Sequence, residues 1–249
     1  MILKTKTCEF EIGINDNILF HGKPKFNPYG PCVILSNYNT YQEIHLDPNV
    51  FGSMRFMMSE NDILTFSQSN GLLNAVELEI PYNVQIIEDA YEPICKQTIN
   101  LVARQDKSFF LEQAISVKYF TSNDFMLFEY ENHGKPYDTH HLKLVDDFYT
   151  VINSNTIIGW GIENCGKYLY DSYRKNYDTI ESDKRTLIVD FLSLYTEETF
   201  ELIEHGDNNV KAKFLKLHAE SKKLKSNVMC GVIEDWLDLD PHHHKHPCP

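Results

Sequence analysis

The stretch from Ile63 to Ile80, ILTFSQSNGLLNAVELEI, constrains the fold more than any other. Two strand-like runs flank Ser69-Asn70-Gly71, and Asn-Gly readily adopts the positive φ angles of a tight hairpin turn. In the second run Val76, Leu78 and Ile80 alternate with Glu77 and Glu79. A period of two puts one face in a core and leaves the other wet, which an antiparallel sheet permits and a doubly wound parallel sheet does not. Glu77 and Glu79 are therefore expected on a solvent face.

Similar short runs fill the first 150 residues. CEFEI (8–12), SMRFMM (53–58), VQIIED (84–89), ISVKYF (115–120) and FMLFEY (125–130) all read as strands. FNPYGP (26–31) and LDPN (46–49) read as turns from their Pro, Gly and Asn. One stretch, YEPICKQTINLVARQ (91–105), has room for a short helix. The pattern then changes. NCGKYLYDSYRKNY (164–177) spaces its apolar residues helically. TEETFELIEHGD (196–207) opens on a Thr suited to an N-cap, sets Glu197 and Glu198 in the first turn and stops at Gly206. In DNNVKAKFLKLHAESKKLKS (207–226), Val210, Phe214, Leu217, Ser221 and Leu224 form one stripe at helical spacing, with Asp207 as the cap. VIEDWLDLD (232–240) reads as a last short helix, and RTLIVDFLSLY (185–195) fits a buried strand or a helix. Strands followed by helices predict an α+β fold. The expected division is a largely antiparallel β-rich part over 1–153, an α-rich part over 154–240 that can share its core, and a disordered His-rich tail over 241–249.

Composition limits the function. The formal net charge is −13, and acids outnumber bases in both halves. Such a field repels phosphate backbones, so nucleic acid is not an expected partner, whereas a basic protein would be drawn in. No run of eighteen apolar residues occurs, so no membrane partner is expected. MILKTKTCEFEIGI places charges where a signal peptide needs an apolar core, and the six cysteines form no CxxC pair. Buried free thiols and a cytoplasmic location are the expectation.

Motif chemistry is sparse. There is no phosphate-binding GxxxxGK[ST] or GxGxxG and no GxSxG elbow. Gly159-Trp160-Gly161 lacks the spacing of a dinucleotide site and reads as geometry for packing. A metal site of two histidines and a carboxylate has one candidate frame, His45-x-Asp47, because residues i and i+2 of a strand face the same way. His140 supplies the third ligand in that reading, with His133 and His141 as alternatives. Three His-x-Asp/Glu pairs occur, close to the roughly 1.6 that composition gives by chance, and Pro48 makes the first of them turn-like. HGKPYDTHHLKLVDD (133–147) gathers Asp138, His140, Asp146 and Asp147. If residues 138–144 form a strand, Asp138, His140 and Leu142 share a face opposite His141 and Lys143. Lys211, Lys213, Lys216, Lys222, Lys223 and Lys225 make one basic helix face, expected to be solvated. In the tail, His242, His243, His244, His246 and Cys248 are metal-philic but interrupted by prolines that prevent a preorganised site.

These observations predict a non-catalytic cytosolic binding protein without a cofactor. Its length, acidity and strand-rich front half are what a bacterial immunity or inhibitor protein directed at a basic partner would present, with Glu77, Glu79, Asp138, Asp146 and Asp147 as contact residues. The competing expectation is a metal-dependent enzyme of the non-haem iron type, built on His45, Asp47 and His140.

Overall fold

The computed structural model describes residues 2–5, 11–15, 20–27, 31–36, 38, 47–53, 61–104, 108–130, 139–168, 182–224 and 226–237. The fold is α+β, with mostly antiparallel sheet first and helices after. The hairpin of residues 63–80 forms as its pattern predicts: β6 (Ile63–Ser67) and β7 (Leu73–Glu79) pair antiparallel, and Gly71 takes φ +69° in the turn. They sit in a five-stranded sheet ordered β3 (Lys23–Phe26), β4 (Cys32–Ser36), β7, β6, β5 (Val50–Ser53).

The larger sheet contains a row ordered β9 (Cys95–Thr98), β13 (Thr139–Val145), β14 (Phe148–Asn153), β15 (Thr156–Ile162), β12 (Phe125–Glu129), β11 (Ser116–Phe120), β8 (Val84–Ile87). β14 occupies one edge of β15. On the other edge Gly159–Ile162 pairs with β12, while Thr156 and Ile157 pair with β1 (Ile2–Thr5). From β1 a branch continues through β2 (Glu11–Asn15) to β10 (Asn100–Ala103), and a Leu72–Val102 bridge ties that branch to the smaller sheet. The pairings make β8, β9, β11, β13 and β15 run in one direction, so the turns that follow them gather at one end of the row.

A bulge places the buried tryptophan. Val151 pairs with Gly159 but Ile152 with Ile157, so Ile158 is left over and the alternation of faces flips. Ile157 and Trp160 therefore both enter the main core, while Ile158 joins a smaller cluster on the opposite face. Gly159 is required there, because a Cβ would collide with Phe128 O.

The helices are α1 (Cys165–Tyr168), α2 (Ser182–Leu194), α3 (Glu197–Glu204), α4 (Asn208–Lys223) and α5 (Asn227–Trp236). None among the described residues is long and apolar enough to cross a membrane. Thr196 caps α3 by accepting from Thr199 N. Asp207 Oδ1 caps α4, accepting from Asn209 N at 2.8 Å and Val210 N at 2.9 Å. Asp207→Ala is expected to cost about 1 kcal/mol, read as a lower midpoint in urea. The stripe Val210, Phe214, Leu217 and Ser221 is buried, and the described lysines of α4 are exposed. Trp236 packs among Phe191, Tyr195, Phe200 and Phe214, with ring centroids 4.9–5.6 Å apart.

One buried polar network joins both sheets. Trp160 Nε1 donates to Tyr130 Oη at 2.9 Å, and Tyr130 Oη donates to Asp62 Oδ2 at 2.7 Å. Asp62 also accepts from Glu79 N at 3.0 Å and Ala114 N at 3.3 Å. Burial pushes its carboxyl up to about 7 despite those donors.

Several expectations need correction. Residues 91–104 hold β9 and β10 rather than a helix: Ile99 and Leu101 bury at strand spacing, and pairing of β9 with β13 and of β10 with β2 outweighs local propensity. The ambiguous 185–195 stretch is helical, with Leu187, Ile188, Phe191 and Leu192 inside. The expected change of character at 153 falls inside the β14–β15 hairpin, whose turn residues Ser154 and Asn155 have φ 47° and 69°; strand gives way to helix only at Ile162–Cys165. Buried side chains of both sheets and of the helices form one continuous cluster. Glu77 is not on a wet face. It is 2% exposed, and its Oε1 accepts from Cys32 Sγ at 3.4 Å, beside Ile34 and Ala75. Alternation separates two faces of a strand but does not reveal whether the polar face is covered.

Candidate functional site

The second face of the seven-strand row is covered by a strap. β8 and β9 lie at opposite edges of that row, and residues 88–94, EDAYEPI, join them across it. Beneath lie Phe120, Phe125, Leu127, Tyr149, Val151 and Ile158. Tyr91 is the anchor. Its ring stacks on Phe125 at 4.8 Å and leans on Phe120 at 4.9 Å. Its hydroxyl lies 2.8 Å from His141 Nε2. Its backbone is clamped as well: Tyr91 N donates to Asn123 Oδ1 at 3.2 Å, and Asn123 Nδ2 donates to Tyr91 O. Ser122 Oγ donates to Glu88 O, and Thr121 N donates to Ile87 O at 2.8 Å.

Burial sets the ionisation of this pair. The Tyr91 hydroxyl is pushed up to about 12 by burial and by the Glu129 charge. Burial, with His140 adding to it, holds His141 down to about 4, so the ring is neutral at physiological pH. His141 Nδ1 has no hydrogen-bond partner among the described residues. The strap's outer side is the opposite in character. Glu88, Asp89 and Glu92 are exposed, and Ile94 is 65% exposed.

The strap starts at the end of the row where five strands finish, and acids collect there. Asp124 and Asp147 are used internally. Asp124 accepts from Tyr119 Oη at 2.6 Å and Gly166 N at 3.0 Å, and burial raises its carboxyl. Burial also works against Asp147, but hydrogen bonds from Tyr168, Lys167 and Asn164 prevail and hold it below the usual range. Both carboxylates thereby fasten α1 to the turns. Asp146 faces outward with its side chain 92% exposed, in a surface ion pair with Lys143 that contributes little to stability. Burial pushes the Cys165 thiol far up, and Cys32, Cys165 and Cys230 are free and buried.

The sequence-predicted residues are thus scattered. Of the expected contacts, Asp146 is exposed, Glu79 and Asp147 are half-buried, and Glu77 is buried. Asp138 and His45 lie outside the described residues, as does the His-rich tail. His140 is exposed on β13. Asp47 accepts from Tyr38 Oη and from Asn49 N and Nδ2. The Tyr38 bond, with help from Asn49, holds its carboxyl below the usual range, and residues 47–49 form the expected turn. Among the described residues no group of three or more His, Cys, Asp and Glu could hold a metal ion.

No family model matches the chain, and no curated protein is significantly similar to it. The site therefore stands on its own geometry. A rigid aromatic anchor beneath a short acidic strap fixes three carboxylates and an exposed isoleucine on one surface. That arrangement supplies a preordered polar rim with an apolar contact, which suits docking of a macromolecule. Sequence reading passed over Tyr91, which lay in a stretch with room for a short helix, and considered His141 only as an alternative metal ligand on the strand face opposite Asp138 and His140. The available signal was the run Glu88-Asp89-Ala90-Tyr91-Glu92-Pro93, a lone aromatic among acids before a proline.

Proposed function

We propose that this chain is a non-catalytic cytoplasmic binding protein that engages a basic protein partner through the 88–94 strap, in the manner of an immunity or inhibitor protein. The observation that carries this reading is the strap itself. It is clamped through the backbone and the side chain of Tyr91, yet turns Glu88, Asp89, Glu92 and Ile94 outward. A backbone already held in place forfeits less entropy on association than a loose loop. The net charge of −13 would steer a cationic partner toward them.

The test is capture of a basic partner at low salt from cells expressing the chain, followed by titration. Changing Glu88, Asp89 and Glu92 together to lysine is expected to weaken that complex by about a hundredfold and to flatten its salt dependence. Equal capture by the variant, or a bound partner without basic character, would remove this reading.

A further inference from the structure

We propose that the free edge of β8 accepts an extended, lysine- or arginine-bearing segment of the partner as an added strand. This deepens the proposed function and rests on it for the partner's charge.

Among the described residues the outer edge of β8 pairs with no other strand. β8 runs parallel to β11, with Val84 opposite Val117 and Ile86 opposite Tyr119. Val117 N donates to Asn83 O at 2.9 Å and Thr121 N to Ile87 O at 2.8 Å. In a parallel ladder that register turns residues 83, 85 and 87 toward β11. Val84 and Ile86 then turn their main-chain groups away from β11; the Val84 amide donates to Tyr82 O at 3.1 Å, so the Val84 carbonyl and the amide and carbonyl of Ile86 are the groups offered outward. Gln85 is exposed, Ile86 is 37% exposed, and Tyr82 just before the strand is 45% exposed.

The other edges are guarded. β3 carries Lys23, Pro24 and Lys25, and β9 carries Lys96. β5 is closed by the Ser53–Phe109 bridge, with Phe109 N donating to Gly52 O at 3.3 Å. β10 is closed where Ala103 N donates to Gly71 O at 2.8 Å. Lysine, proline and covering segments are the usual means of stopping a sheet edge from pairing. Val84-Gln85-Ile86-Ile87 has neither lysine nor proline. Residues that would block strand addition are present at two edges and cover closes two more, whereas β8 carries no such residue and, among the described residues, pairs with no strand or bridge beyond β11.

Charge selects the occupant. Glu88 and Asp89 follow the strand directly, exposed, and Glu92 is exposed farther along the strap. Of the described cations at that end, Lys143 and Lys167 pair with Asp146 and Asp147, and Arg185 turns Nη1 toward Thr121 O and Ser122 O at 3.5 and 3.3 Å. A second copy would bring another chain of net charge −13 to the same edge, which Coulomb repulsion opposes. A basic strand gains main-chain bonds to the Val84 carbonyl and to the amide and carbonyl of Ile86, apolar contact with Ile86, and attraction to Glu88 and Asp89.

The test uses a fluorescent peptide of about ten residues with alternating lysine and valine, a length that spans an average strand. Ile86→Pro removes only an outward N–H and leaves the ladder to β11 intact, as an edge strand tolerates. Wild type is expected to bind the peptide saturably and I86P about tenfold more weakly or worse, with little change in Tm. Glutamate in place of each peptide lysine should abolish binding. If I86P unfolds, the paired change Gln85→Lys with Ile86→Lys keeps every amide and should give the same loss by repulsion. Failure of wild type to bind the basic peptide, or equal binding by the edge variants, overturns the proposal. A partner that I86P still captures, but that the strap lysine variant loses, would overturn strand addition and leave the proposed function standing.

Discussion

Asp62→Ala is expected to lower the unfolding free energy by about 4 kcal/mol, the scale for stranding several buried groups at once. It would leave the Tyr130 hydroxyl and the amides of Glu79 and Ala114 without their acceptor. Those groups belong to both sheets and to the segment before β11, so the loss should appear as one cooperative shift in a urea titration. Asp62→Asn keeps an acceptor and should cost less.

The same residue makes a pH prediction. A carboxyl raised from 3.8 to about 7 by burial binds its proton more tightly in the folded state. Its stabilising effect is complete below pH 4 and declines as pH rises through 7, by about 4 kcal/mol. His141 works in the other direction. Its folded value of about 4 lies below 6.5, so its contribution is present above pH 6.5 and is lost toward pH 4, by about 3 kcal/mol. Between pH 4 and 6.5 the two slopes oppose each other. Wild-type stability should therefore vary little there, and Asp62→Asn should make it climb with pH. A variant curve as flat as that of wild type would show that Asp62 does not titrate in this window.

Tyr91→Ala is the second large effect. It removes a ring packed between Phe120, Phe125 and His141, together with the hydrogen bond to the imidazole. The expected cost is about 3 kcal/mol, at the lower end for aromatic truncation because the ring is only partly buried. Amide exchange of residues 88–94 should accelerate well beyond that of β12 and β15, since the strap would keep only its backbone bonds to Asn123 and Ser122. Tyr91→Phe separates the terms, retaining the packing and losing only the His141 bond, and should cost about 1 kcal/mol. Partner affinity should follow strap order: weakened by Tyr91→Ala, nearly unchanged by Tyr91→Phe. Unaltered exchange in the alanine variant would show that the strap does not depend on its anchor.

Local pattern was enough for the 63–80 hairpin, the caps at Thr196 and Asp207, the apolar stripe of α4 and the order of strands before helices. Each depends on residues within a turn or two of one another: Asn-Gly for positive φ, a side-chain oxygen for free helix amides, a spacing of three and four for one face. Only tertiary structure decided the rest. Whether Glu77 meets water depends on what lies over the smaller sheet, not on the alternation that placed it opposite Val76 and Leu78. Residues 95–103 became strands because neighbours distant in sequence, β13 and β2, offered hydrogen bonds that a short isolated helix could not match. The run of acids around Tyr91 marks the strap in the sequence but does not say what it crosses. Tyr91 acquires a role only because β8 and β9, adjacent along the chain, go to opposite edges of one sheet, drawing the residues between them across Phe120, Phe125 and His141. Short-range chemistry sets each element, whereas strand order is set by the summed burial of faces that no short stretch contains.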